Sequence, residues 1–219
     1  DNLTDHIQIS ENDAFIKQKK AALDAFVKQG IPTIKSEDWR YWTPESIKQH
    51  LLTSATTNDL SKKDLSNSLV LENGVQTSEV NIEGVSISNE LENLISGQNP
   101  VSGISSSPIS LLSTVLAPSV TVVTINQSLT TPLKIQVKSI NKELESVHQR
   151  LIIQCQKGVS ANIVIEHTAD SIETISNTLV ECVFMEDSNI EVVQVQKEDK
   201  AIRFLNTALH LYKNAEVNH

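Results

Sequence analysis

The sequence predicts a mainly β protein, a right-handed parallel β-helix of about 27 residues per coil behind a small α-helical N-terminal unit. Three observations predict it. From Val120 onward, short runs rich in Val, Ile and Thr alternate with small turn residues, as strands and turns do. This texture repeats at a fixed step along the chain. The first fifty residues instead show helical apolar spacing and helix stop signals.

The helical unit begins with a helix that Asn12 or Asp13 can cap and that runs to about Gln29. Gly30 and Pro32 end it. Its spacing predicts one apolar stripe, formed by Phe15, Ala22, Leu23, Phe26 and Val27.

A second short helix is predicted from Thr43-Pro44-Glu45, a cap followed by a first-turn proline, through Leu52. Residues 53–67 are polar and read as a connector. We therefore predict a helical unit with its linker over 1–67 and a β-rich region over 68–219.

The β-rich region opens with alternating residues around Asn73-Gly74, a hairpin signal, and a second break at Gly84. Short helices are predicted over 90–97 and 107–117, the second opened by Ser107-Pro108.

The repeat is visible when the segments starting at Leu151, Thr178 and Leu205 are aligned, each 27 residues after the last. In this alignment Cys155 lies over Cys182 and Leu209, and Ala161 over Ser188 and Ala215. Two strands per repeat meeting at a small turn residue describe one coil of a parallel solenoid. A right-handed crossover is the expected hand. An antiparallel β-sandwich is the alternative, although it does not require a constant step.

Charge and composition exclude several classes of function. A net charge of −9 has the wrong sign for binding a nucleic acid or an anionic membrane surface. No apolar run is long enough to span a membrane, and no Gly-Lys-Ser/Thr phosphate loop is present. We expect a cytoplasmic protein.

Two groups of residues could carry chemistry. Trp39-Arg40-Tyr41-Trp42 could form a cation–π platform for a ligand, but we favour docking of the helical unit onto the β region, with Trp39 and Trp42 at least partly buried between the N-terminal helices and the first β elements. Cys155 and Cys182 could be persulfide or cluster ligands if accessible, but their place in apolar strands favours buried, reduced thiols. No paired metal-ligand motif occurs. His148, His167 and His210 are scattered over predicted strands and turns. We expect His167, which follows Glu166, to make a simple hydrogen bond at the surface.

Several motifs together resemble the SufB/SufD family, SufD-type proteins in particular. The stretch "GIPTIKSEDWRYWTP" is similar to the N-terminal signature of that family. A second stretch, "VHQRLIIQCQKGVSANIVIEHTAD", resembles its strand, glycine turn and strand, and "NTLVECVFMEDSNIEVVQVQ" continues it. The matching positions are Arg150, Leu151, Ile152, Gly158, Glu166 and Gln196.

The resemblance implies a non-catalytic scaffold of SUF iron–sulfur cluster assembly. It implies pairing with a SufB-like paralogue, use of a SufC-like ATPase, and a nascent cluster in the full complex, with flavin a further candidate there. A homodimer is one candidate form of the isolated chain, whose oligomeric state the sequence leaves open. The family's C-terminal helical domain and its proposed cluster-ligating histidine would lie beyond His219. We therefore expect a truncated chain, and we assign it no catalytic, cofactor-binding or metal-ligating residue.

Two other classes of function remain open: a β-helical enzyme acting on polysaccharide and a self-associating structural solenoid. The enzyme needs grouped carboxylates or basic residues on one exposed sheet. The repeats carry mainly Gln, Glu, Thr and Asn at polar positions, and co-purification with a SufB-like protein and an ATPase would separate the three classes.

Overall fold

Two parallel sheets stacked as solenoid coils form the body of the protein, with helices against one of them. The computed structural model describes residues 14–41, 44–53, 68–91, 94, 107–140, 145–170, 174–197 and 201–219. The helices are α1 (Ala14–Gln29), α2 (Lys48–Leu51) and α3 (Pro108–Leu116). The strands are β1 (Ser68–Glu72), β2 (Val75–Gln76), β3 (Val85–Ser88), β4 (Thr121–Ile125), β5 (Leu133–Ser139), β6 (Ser146–Cys155), β7 (Ser160–Ala169), β8 (Ile175–Phe184), β9 (Asn189–Gln196), β10 (Ile202–Leu211) and β11 (Glu216–Asn218).

From β4 to β11, successive strands of the chain alternate between the two sheets, as a solenoid requires. One sheet has the order β11-β9-β7-β5-β1-β2 and the other the order β10-β8-β6-β4-β3. All pairs between successive coils are parallel. The predicted parallel β-solenoid is confirmed, and the antiparallel sandwich is excluded.

The predicted register is correct for one coil step and wrong by two residues for the other. Between β8 and β10 the step is 27 residues, with Cys182 opposite Leu209. Between β6 and β8 the step is 29 residues, so Cys155 lies opposite Phe184 and Cys182 lies opposite Ile153. Likewise Ala161 faces Ile190 and not Ser188.

The extra two residues of the longer step are the last two of β7. The strand–turn–strand unit starts in the same way in each coil, since β6, β8 and β10 each begin 14 residues before β7, β9 and β11. Thr168 and Ala169 pair with β5 but have no partner on β9, which ends two residues earlier than β7 does. An ungapped alignment anchored on the two cysteines does not allow for these two residues, which is why the predicted step was too short.

The solenoid core lies between the two sheets and is made of inward-facing aliphatic residues. The two-residue error leaves this core unchanged, because side chains of a strand alternate with a period of two. Ile153, Cys155 and Val180 point inward in either register.

The first coil is closed by antiparallel strands on both sheets. Asn73 and Gly74 adopt positive φ angles of 49° and 81° between β1 and β2, so the predicted Asn-Gly hairpin is confirmed. On the other sheet β3 pairs antiparallel with β4. The Asn73 side chain also bonds both the backbone N and O of Ile140 at 2.8 Å, which ties the hairpin to the end of β5.

The helices pack on the outer face of the β6 and β8 strands. Helix α1 ends as predicted, with the Gly30 N–H at φ 68° donating to the Phe26 carbonyl at 2.7 Å. Helix α3 contacts α1, β6 and β8. The stripe prediction fails at one position, because Val27 is 70% exposed.

The described residues test the second predicted helix but only some of the remaining predictions. A 3₁₀ turn over Pro44–Ile47 leads into α2, which confirms a proline-opened short helix. The caps at 12–13 and Thr43, the connector at 54–67 and nearly all of the 90–97 helix lie outside the described residues.

Candidate functional site

Cys155 and Cys182 are free thiols in the apolar core between the sheets. Both are fully buried, on adjacent strands. Burial, together with the neighbouring Cys182, raises the pKa of Cys155 well above its usual range. Burial, and then the charge of Glu181, raises the pKa of Cys182 to about 12. The thiolate is the form that acts as a nucleophile or metal ligand. Burial disfavours this form for both cysteines in this fold.

His148 is a buried junction between the helices and the sheet, not a residue on a strand surface. Its Nε2 donates to the Leu51 carbonyl at 3.1 Å, and Asn177 Nδ2 donates to its Nδ1 at 3.2 Å. Asn177 Nδ2 also donates to the Ile109 carbonyl of α3 at 2.8 Å. Burial lowers the pKa of His148 to about 4, against a smaller upward effect of backbone hydrogen bonds. The ring is therefore neutral near pH 7 and fixed in one tautomer.

His167 is also buried, so the predicted surface hydrogen bond is wrong. Its Nε2 donates to Gln194 Oε1 at 3.0 Å between β7 and β9. Gln194 Nε2 in turn donates to Thr207 Oγ1 at 2.7 Å. Burial lowers the pKa of His167. Its neighbour Glu166 pairs instead with Lys197 at 3.1 Å.

The aromatic patch divides into a buried part and an exposed part. Trp39 packs on the helical cluster, with its ring centroid 6.4 Å from that of Phe204 on β10. Tyr41 is 93% exposed. Arg40 bonds the Glu37 carboxylate at 3.3 Å and lies over the Tyr41 ring. Docking is confirmed for Trp39, although on β10 and not on the first β elements as predicted; Trp42 lies outside the described residues.

A buried polar chain missed by the sequence analysis links α1 to the sheet. Arg150 Nε donates to Glu181 Oε2 at 2.9 Å, and Arg150 Nη1 donates to Gln18 Oε1 at 2.5 Å. Arg150 and Glu181 are each 1% exposed. The correct coil step is the feature from which this pair could have been predicted. A 29-residue step places Glu181 two residues from Leu179, the strand partner of Arg150, whereas a 27-residue step places it four residues from the partner.

The described parts of the chain contain neither a metal-ion cluster nor a membrane-spanning helix. No group of three or more His, Cys, Asp or Glu residues there is arranged to hold a metal ion. No helix there is long and apolar enough to cross a membrane. The ordered polar groups thus join helices to strands and strands to strands.

The fold and these groups define a class of protein: a parallel β-solenoid with helices on one face and buried, protonated thiols in its core. Residues 138–219 match a family model described as the SUF system FeS cluster assembly, SufBD core domain. The match supports membership of the SufB/SufD family and a role in SUF iron–sulfur cluster assembly. Comparison with curated proteins found no match.

Proposed function

We propose that the chain is a SufD-like, non-catalytic scaffold of SUF iron–sulfur cluster assembly, working with a SufB-like subunit and a SufC-like ATPase. The observation that carries the proposal is the SufBD core match over residues 138–219, which coincides with stacked strands β6 to β11. A stacked sheet presents a long, regular surface, which suits a protein that holds others in place.

The chemistry of the described side chains supports a scaffold more than a ligand set. The raised thiol pKa values and the lowered His148 pKa have the same cause, burial, which disfavours the charged form of each group. A cluster is then cargo of the assembled complex, and flavin, if the complex uses it, is assigned to no residue here.

Co-purification tests the proposal. The full-length protein, tagged in its own host, should bring down a SufB-like protein and a SufC-like ATPase in fixed stoichiometry. The isolated protein should turn over no polysaccharide, which separates it from the β-helical enzyme. Purification of the tagged protein with neither partner, under conditions that retain other SUF contacts, would contradict the scaffold assignment.

Cysteine variants test whether the chain is a passive support. Cys155→Ser should cost about 1–3 kcal/mol of folding stability, because it buries a hydroxyl without an assured partner. Cluster assembly by the folded complex should remain near the wild-type level, and Cys182→Ser should behave in the same way. A folded variant of either kind that abolishes assembly while retaining both partners would instead assign that thiol a direct role.

A further inference from the structure

The buried face of α1 is partly polar. Gln18 and Lys19 are each 7% exposed and lie beside the apolar Phe15, Ala22 and Leu23. Lys19 Nζ donates to the Ala117 carbonyl at 2.6 Å, just past the end of α3. Since burial of such groups costs free energy unless they are partnered, the packing of α1 depends on these polar contacts as well as on its apolar side chains.

Beneath α1, the Arg150–Glu181 ion pair belongs wholly to the sheet. Arg150 lies on β6 and Glu181 on β8, and their side chains are 0% and 2% exposed. Among the described residues of α1, Gln18 alone makes a hydrogen bond to this ion pair, through Arg150. Within the described part of the chain, Arg150 Nη2 has no hydrogen-bond partner. The closed arrangement therefore leaves one donor of a buried cation unsatisfied, and water would satisfy it.

We propose that α1 is a releasable cover on the outer face of β6 and β8, and that the Gln18–Arg150–Glu181 chain sets how readily it opens. Opening of α1 hydrates the ion pair without breaking it. The free energy gained by hydration offsets part of the free energy lost with the apolar contacts of α1. A buried pair costs desolvation that its own attraction does not always repay. Sub-global opening of this kind draws on the less stable elements of a fold. The inference is independent of the proposed function.

Hydrogen exchange of the full chain tests the cover, with Gln18→Met as the variant. The substitution removes the acceptor for Arg150 only in the closed state, so α1 amides should exchange about tenfold faster, as expected for a hydrogen bond to a charged group. Exchange in β6 and β8 should not change. Gln29→Met, the same substitution at an exposed position of α1, should match the wild type.

Removal of one charge and removal of both charges should change the exchange of α1 in opposite directions. Arg150→Met leaves Glu181 buried alone in the closed state, so α1 should exchange faster than in the wild type. The triple variant Gln18→Met, Arg150→Met, Glu181→Met has no buried charge beneath the helix, and its α1 amides should exchange several-fold more slowly. Equal acceleration of α1, β6 and β8 in Gln18→Met and Arg150→Met would overturn the proposal, because α1 would then open only by global unfolding. A folded triple variant in which α1 exchanges faster than the wild type would also overturn it.

Discussion

At the scale of single residues, the groups that look reactive in the sequence are buried in the fold. His148, Cys155 and Cys182 are each fully buried, and burial dominates the pKa shift of each. His148 is the most informative, because its ring and Asn177 join a helix end, α3 and β8.

The lowered pKa of His148 predicts a loss of stability in mild acid. The unfolded chain binds a proton near pH 6.5, whereas the folded protein resists protonation until about pH 4. The free energy of unfolding should therefore fall as the pH drops from about 6.5 to about 4, by at most on the order of 3 kcal/mol from this group. His148→Gln should show a shallower decline in urea titrations over this range.

His210→Gln, the same substitution on β10, is the matched control for this experiment. A change of slope that is specific to His148→Gln assigns the acid sensitivity to His148. A His148→Gln profile parallel to that of the wild type would show that His148 does not contribute to the acid sensitivity.

At the scale of elements, the turns were the most predictable features and the strand interiors the least. Asn73-Gly74, Gly30 and the proline-opened α3 follow from local backbone preferences, which a sequence displays directly. The coil step depends on where the second strand of a coil ends, since β7 is two residues longer than β9, and no turn or cap residue marks that end in the sequence. The Arg150–Glu181 pair and the burial of His148 depend on that step and on helices packed from far along the chain.

Two glycines of similar φ should differ sharply in their tolerance of alanine. A Cβ at Gly74 would lie 2.9 Å from the His148 carbonyl and 3.0 Å from Pro118 Cδ, whereas one at Gly158 would meet nothing within 4 Å. Gly158→Ala should cost about 1–2 kcal/mol from backbone strain alone. Gly74→Ala should cost about 1–3 kcal/mol more, measured by denaturant unfolding. Equal losses would mean that the hairpin moves freely away from β6.

Trp39 should hold the helical unit on the last described coil. Trp39→Ala removes a half-buried ring that packs on Phe204, so we expect about 1–3 kcal/mol of destabilisation, less than for a fully buried Trp. Tyr41→Ala, at a 93% exposed position two residues away, should change stability by less than about 0.5 kcal/mol. Thermal unfolding monitored by circular dichroism compares the two. A larger loss of stability for Tyr41→Ala than for Trp39→Ala would contradict the docking interpretation and favour the ligand-platform interpretation.

At the scale of the whole molecule, the fold class was predictable because a solenoid repeats its own evidence. Several strands with the same alternation outweigh an error of two residues, and the period of two keeps the same residues inward. The candidate site was less predictable, because no residue carries a ligand motif that can be read alone. The resemblance to the SufB/SufD family rests on several ordered motifs, and those over β6 to β9 lie within the segment that matches the SufBD core domain.

Reconstituted cluster formation tests the central claim most directly. The full-length protein would be combined with its SufB-like and SufC-like partners, ATP, ferrous iron and a sulfide source, and the iron and acid-labile sulfide bound by the complex would be measured. The account predicts that cluster yield requires this chain, while the chain alone acquires none under the same conditions. An equal yield when the chain is omitted would contradict it.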